Sequence, residues 1–157
     1  RLVGSEMCIR DRNMRTLYFC ATIFAIIFGA TSLMADGHGL TIEMLNKRED
    51  GAKMVYSQDI ARIEVGDTIT WIPTSKGHNV QFIAGPDGWK APRKSKNNKE
   101  VAMTFDKAGV YLYQCTPHAS MGMIAIVVVG DGDNDISKAK VRGKKSKKKL
   151  KALLSEL

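Results

Sequence analysis

Cysteine, proline and long apolar runs are all scarce in this chain. Of three cysteines in 157 residues, Cys8 and Cys20 fall within the first 35 positions, so everything after them carries Cys115 alone. One thiol builds no disulfide framework, and in an oxidising compartment a solitary thiol calls for another reason to exist, of which metal ligation is the best available. The longest apolar run, Leu17 to Phe28, is too short and too poorly flanked for a membrane-spanning helix. No internal repeat is present. Aromatic residues reach only 7%, while glycines number 14, a balance that suits a small β fold with many turns.

What is present divides into four stretches. Residues 1–13 sit ahead of a better start at Met14 and are read as a non-native leader. Residues 14–35 have a short basic start, the apolar run and then small residues, the layout of a secretory signal. Cleavage is expected after Ala35, with Ser32 as the alternative, which places the mature protein in the periplasm and off the membrane. A start at Asp36 would expose Asp36-Gly37-His38, whose amine, amides and imidazole form a nitrogen set suited to Cu(II) or Ni(II). Residues 36–131 read as one domain and 132–157 as an extension. The formal charge of +8 becomes +6 once residues 1–35 are removed.

Alternating and β-rich runs separated by turn residues mark the strands. Leu40–Asn46 alternates and is stopped by Lys47-Arg48-Glu49-Asp50-Gly51. Met54–Tyr56, Ile60–Val65, Thr68–Pro73 and Val101–Phe105 follow, and Val110–Gln114 and Met123–Val129 close the series. Residues 83–99 carry Gly85, Pro86, Gly88 and Pro92 with a Lys/Asn-rich run, and read as a long irregular connection. Short strands at near-regular spacing argue an all-β sandwich. In the extension, leucines recur at helical intervals and Gly143 divides two short helices.

Between the last two strands lies Cys115-Thr116-Pro117-His118-Ala119-Ser120-Met121-Gly122-Met123. A thiolate, an imidazole and a thioether on one loop are donors suited to copper, and a site of two histidines and one cysteine with a long axial methionine is the blue-copper arrangement. The missing histidine is offered by Lys76-Gly77-His78-Asn79 upstream. Met121 and Met123 both stand as axial candidates. A buried structural thiol and a satisfied core histidine would account for Cys115 or His118 singly, but not for the set. Zinc fits less well, because a thioether is a poor zinc donor.

Gly39–Lys47, Val65-Gly66-Asp67-Thr68, Lys76–Asn79 and Cys115–Met123 together resemble the pseudoazurins, which are periplasmic cupredoxins, over residues 39–131. The resemblance implies a Greek-key cupredoxin sandwich followed by two helices. It implies one type 1 copper held by His78, Cys115, His118 and, by spacing, Met123. It also implies supporting roles for Asn79, Thr116, Pro117 and Met54, with an ordinary core position as the alternative for Met54, and amide hydrogen bonds to the Cys115 sulfur. Lys47, Lys76, Lys94 and Lys96 match positions around the copper face, where they would steer acidic partners onto an apolar patch of Pro117, Ala119 and Met121. Gln114 stands where the family often has lysine.

The expected activity is single-electron transfer by a monomer, with nitrite reductase, nitrous oxide reductase and c-type cytochromes as the redox partners implied. No acid–base pair accompanies the site and no coordination position is left for substrate, so an enzyme is not expected. Nucleic acid is not an expected partner of an exported protein. The lysines of the extension read as a solvated face. Copper buffering or delivery through the same residues is the rival reading.

Overall fold

The computed structural model describes residues 39–157. The leader, the signal segment and His38 lie outside the described residues. Eight strands form two sheets. The first contains β1 (Gly39–Lys47), β2 (Lys53–Tyr56), β4 (Thr68–Ile72) and β6 (Val101–Thr104), in the order β2-β1-β4-β6. The second contains β3 (Ile60–Ile63), β5 (Gln81–Ala84), β7 (Gly109–Gln114) and β8 (Ile124–Val129), in the order β3-β8-β7-β5. Only β1–β2 and β7–β8 are joined within a sheet; every other connection crosses the sandwich. Both sheets are mixed, with β1 parallel to β4 and β3 parallel to β8. This is the cupredoxin sandwich the resemblance implied.

The strand sequences follow from which faces they cover. β1 alternates, burying Ile42 and Met44 and leaving Thr41 exposed, because one of its faces meets the core. β8 is apolar throughout because both its faces are covered. Ala125, Val127 and Val129 enter the core between the sheets with Trp71, Phe82, Tyr111 and Tyr113, while Ile124, Ile126 and Val128 pack beneath Ile136, Leu150 and Leu153 of the extension. The strand β5 is absent from the sequence pattern, since Phe82, Ile83 and Ala84 follow one another without alternation and run straight into the glycine- and proline-bearing connection.

The extension differs from expectation. One helix forms, α1 (Lys144–Leu154), and residues 132–143 are irregular. Ile136 and Val141 still pack on the second sheet, but Asn134 replaces helical hydrogen bonding with strand mimicry. Its Oδ1 accepts from the Val110 N–H (2.6 Å) and its Nδ2 donates to the Val110 carbonyl (3.0 Å). The Asp135 carboxylate then captures the Ser137 N–H in a local turn (2.7 Å).

Candidate metal centre

β7 ends at Gln114 and β8 begins at Ile124, and the nine residues between them are held at both ends. The Cys115 N–H donates to the Met123 carbonyl (3.0 Å), closing the loop as a continuation of the strand ladder. Inside it, His118 N–H donates to the Cys115 carbonyl and Met121 N–H to the His118 carbonyl (3.1 and 2.9 Å). A short 3₁₀ turn over Ala119–Met121 ends at Gly122, whose φ of 101° lies in the left-handed region that glycine tolerates. His78 arrives from the connection between β4 and β5, just before β5, rather than from a strand as expected. That connection is strapped down by a second one. Asn98 N–H donates to the His78 carbonyl, and Val80 N–H donates to the Ser95 hydroxyl (both 2.9 Å).

The result is one cluster. Cys115 Sγ lies 3.6 Å from His78 Nδ1 and 3.5 Å from His118 Nδ1, and the three donor atoms all lie within 4.8 Å of one another. A metal with bonds of about 2.0 Å to nitrogen and about 2.3 Å to sulfur, at angles of about 110–120°, sets N and S roughly 3.5–3.7 Å apart, so the donors fit an ion at their centre. Met123 is fully buried and packs in the same core cluster as Cys115. Met121 is 46% exposed, which places it on the rim.

The electrostatics agree with a cation in the cluster. Burial pushes the Cys115 thiol up, partly offset by the backbone N–H groups of Asn79 and His118 at its sulfur. Those are the amide–sulfur hydrogen bonds the resemblance implied. Burial, and then the neighbouring His118, push the His78 imidazole down. A thiol costly to ionise beside an imidazole costly to protonate makes a poor ion pair and a good pair of ligands, because a bound cation stabilises the thiolate and takes the neutral imidazole lone pair. The tautomer is set from behind: His78 Nε2 lies 2.9 Å from Asn46 Oδ1, an acceptor, so the Nε2–H points there and Nδ1 faces the cluster bare.

Asn79 ties the two ligand-bearing segments together. Its Oδ1 accepts from the Thr116 N–H (2.8 Å), and its carbonyl accepts from the Tyr56 hydroxyl (2.8 Å). The Thr116 hydroxyl in turn donates to Gln81 Oε1 (3.2 Å), which Gln114 Nε2 also reaches (3.0 Å). Pro117 is exposed on the loop. Met54 packs against the core with a φ of 52°. Lys47, Lys76, Lys94 and Lys96 are all exposed, and each adjoins a residue bonded into the site region: Asn46, Gly77 or Ser95. Ala119 is a correction. It is 1% exposed, because α1 lies over it and Ser146 donates its hydroxyl to the Ala119 carbonyl, so it presents nothing to a partner. Asn46, Ser95 and Asn98 were missed, since a polar residue at a strand end or in a lysine-rich loop gives no sign of what it will bond.

The family model described as copper binding proteins, plastocyanin/azurin family, matches residues 42–130. The chain belongs to the plastocyanin/azurin family. Among its relatives, the pseudoazurin of Methylorubrum extorquens is 39% identical over 91% of this chain and 97% of its own length. That of Paracoccus pantotrophus is 39% identical over 80% and 90%. The crystal structure of native pseudoazurin from Hyphomicrobium denitrificans matches with a TM-score of 0.70 at 33% identity, covering 76% of this chain and 98% of that one. As a member of the plastocyanin/azurin family with pseudoazurin likeness, the protein is a blue copper electron carrier and not an enzyme. His78, Cys115, His118 and Met123 have the arrangement of a type 1 copper site.

Proposed function

We propose that the protein is a monomeric periplasmic carrier that takes electrons from c-type cytochromes and delivers them one at a time to denitrification enzymes, chiefly nitrite reductase and also nitrous oxide reductase. The observation that carries the carrier role is the unequal exposure of the donors. His78 and Cys115 are completely buried, whereas His118 is half-buried. Copper bound by these residues supplies the single electron, exchanged between Cu(I) and Cu(II). The protein's part is to hold the donors in one geometry, exclude water from His78 and Cys115, and leave His118 half-buried on a loop that exposes Pro117 and Met121. Buried, doubly anchored ligands oppose a delivery role, which favours exchangeable ones. The exposed Lys47, Lys76, Lys94 and Lys96 support an acidic partner, and the signal-like residues 14–35 support export.

The test is to mix the reduced copper-loaded protein with nitrite reductase and follow the return of visible colour. Rapid recolouring dependent on nitrite is expected, and Cys115→Ser should yield a colourless protein that delivers nothing. Colour retained in Cys115→Ser would refute the ligand assignment. Normal colour without delivery would refute the partner.

A further inference from the structure

The extension carries a charge density that the copper site does not use. Between residues 138 and 151 there are nine basic residues and no acidic one. α1 turns its apolar side inward, burying Ser146, Leu150 and Leu153, and leaves Lys144, Lys145, Lys147, Lys148 and Lys151 exposed. Of these basic residues only Lys149 is held in an ion pair among the described residues, with Asp59 at 2.6 Å. Between α1 and the irregular stretch before it runs an open groove of about 520 Å³. Val141, Leu150 and Leu154 form its apolar part, and Lys140, Lys147 and Lys151 stand around it.

We propose that this face is a docking surface for an anionic phospholipid bilayer. The ammonium groups of Lys140, Lys147 and Lys151 pair with lipid phosphates, and the groove between them receives the glycerol and upper acyl segment of one lipid. The chemistry favours lipid over an acidic protein. Protein interfaces concentrate Tyr, Trp and Arg and are depleted in Lys, yet no aromatic residue follows Tyr113 and only Arg142 interrupts the lysines. Clustered lysines around a shallow apolar groove suit the diffuse negative potential of a bilayer surface. Without aromatic anchors the association is reversible and sensitive to salt. The first turn of the helix adjoins the copper loop: a Cβ at Gly122 would lie 3.8 Å from Lys145 Cβ. Docking would therefore hold the copper face beside the bilayer rather than remote from it, and would replace the solvated-face reading of these lysines.

Sedimentation of the full, copper-loaded chain with phosphatidylcholine vesicles, with and without phosphatidylglycerol, tests this. Binding that requires phosphatidylglycerol and weakens as salt rises is expected. The triple variant Lys140→Glu/Lys147→Glu/Lys151→Glu should lose it by about tenfold or more, while Lys76→Glu/Lys94→Glu keeps it. Lys149 is untouched, so α1 remains docked, and an unchanged visible spectrum checks this. Any contribution of residues 14–35 is common to all variants. The proposal is overturned if no phosphatidylglycerol-dependent binding occurs, or if the triple variant binds as well as the parent. It is equally overturned if the triple variant instead slows vesicle-free electron delivery, which would assign the face to a protein.

Discussion

The two methionines of Met121-Gly122-Met123 differ by two positions in sequence and by nearly half their surface in exposure. Met123 is completely buried beside Cys115, and Met121 is 46% exposed. Gly122 causes the division, since its left-handed φ ends the 3₁₀ turn and redirects the chain into β8. Met123→Leu should raise the reduction potential while preserving colour, because losing a weak thioether donor favours Cu(I) and leaves the three strong ligands in place. Met121→Leu should move the potential much less. Voltammetry of the two variants checks this, and the opposite order would transfer the axial role to Met121. Cys115 and His118 were legible because loop donors at that spacing have few alternative explanations. Asn46 was not, since its importance arises from where β1 ends in space.

At the level of elements, the helix α1 is fastened to the sandwich by charge at one point and by close approach at another. Asp59, between β2 and β3, accepts from Lys149 Nζ at 2.6 Å and from Arg48 Nη2 at 3.0 Å. Burial pushes the Asp59 carboxyl up, but those hydrogen bonds and charges outweigh it and hold it below the usual carboxylate value. A carboxyl lowered by folding adds stability that is fully present above its unfolded pKa of about 3.9 and is lost as pH falls through the folded value. Asp59→Asn should therefore cost about 1 kcal/mol at neutral pH and flatten the decline in stability below about pH 4. Denaturant unfolding of both forms across that range would reveal it, and parallel pH profiles would contradict it.

Gly143 makes the other fastening. Its φ is 87°, and a Cβ there would lie 2.9 Å from Ser120 Cα and from the Ser120 carbonyl oxygen. Gly143→Ala should cost about 1–3 kcal/mol through backbone strain and overpacking, with faster amide exchange along α1. An unchanged unfolding midpoint would show that the helix can shift away from the copper loop without penalty. The sequence marked Gly143 as a divider between two helices. Asn134 and Asp135 instead satisfy their neighbours' backbone groups locally, so the first of those helices does not form. The spacing of Ile136, Ala139 and Val141 reports which face is apolar, but not whether a side chain will capture the backbone first.

For the whole molecule, exposed lysines include two groups, Lys47, Lys76, Lys94 and Lys96 near the metal centre and those along α1. Lys76→Glu with Lys94→Glu should slow electron delivery to an acidic acceptor several-fold and flatten its dependence on ionic strength, since both act through long-range attraction that salt screens. Stopped-flow rates over a salt series would measure this. The same fall after reversing Lys147 and Lys148 would show that charge acts without regard to position. The sandwich itself was legible from alternation, but its pairing was not, because nothing local records that Ile60–Ile63 will lie beside Ile126–Val129.

That pairing governs the order in which the protein can be made. β8 is the last strand in chain order among the described residues, yet it sits inside its sheet with β3 on one side and β7 on the other. Until residues 124–129 have emerged, β3 has no partner in its own sheet and the copper loop has one anchor where it needs two. A nascent chain therefore gains little by folding early, and the pairing of β3 with β8 must close across more than half of the described residues. Such non-local topologies fold on the order of milliseconds to seconds, and the copper loop gains its second anchor only once β8 is in place.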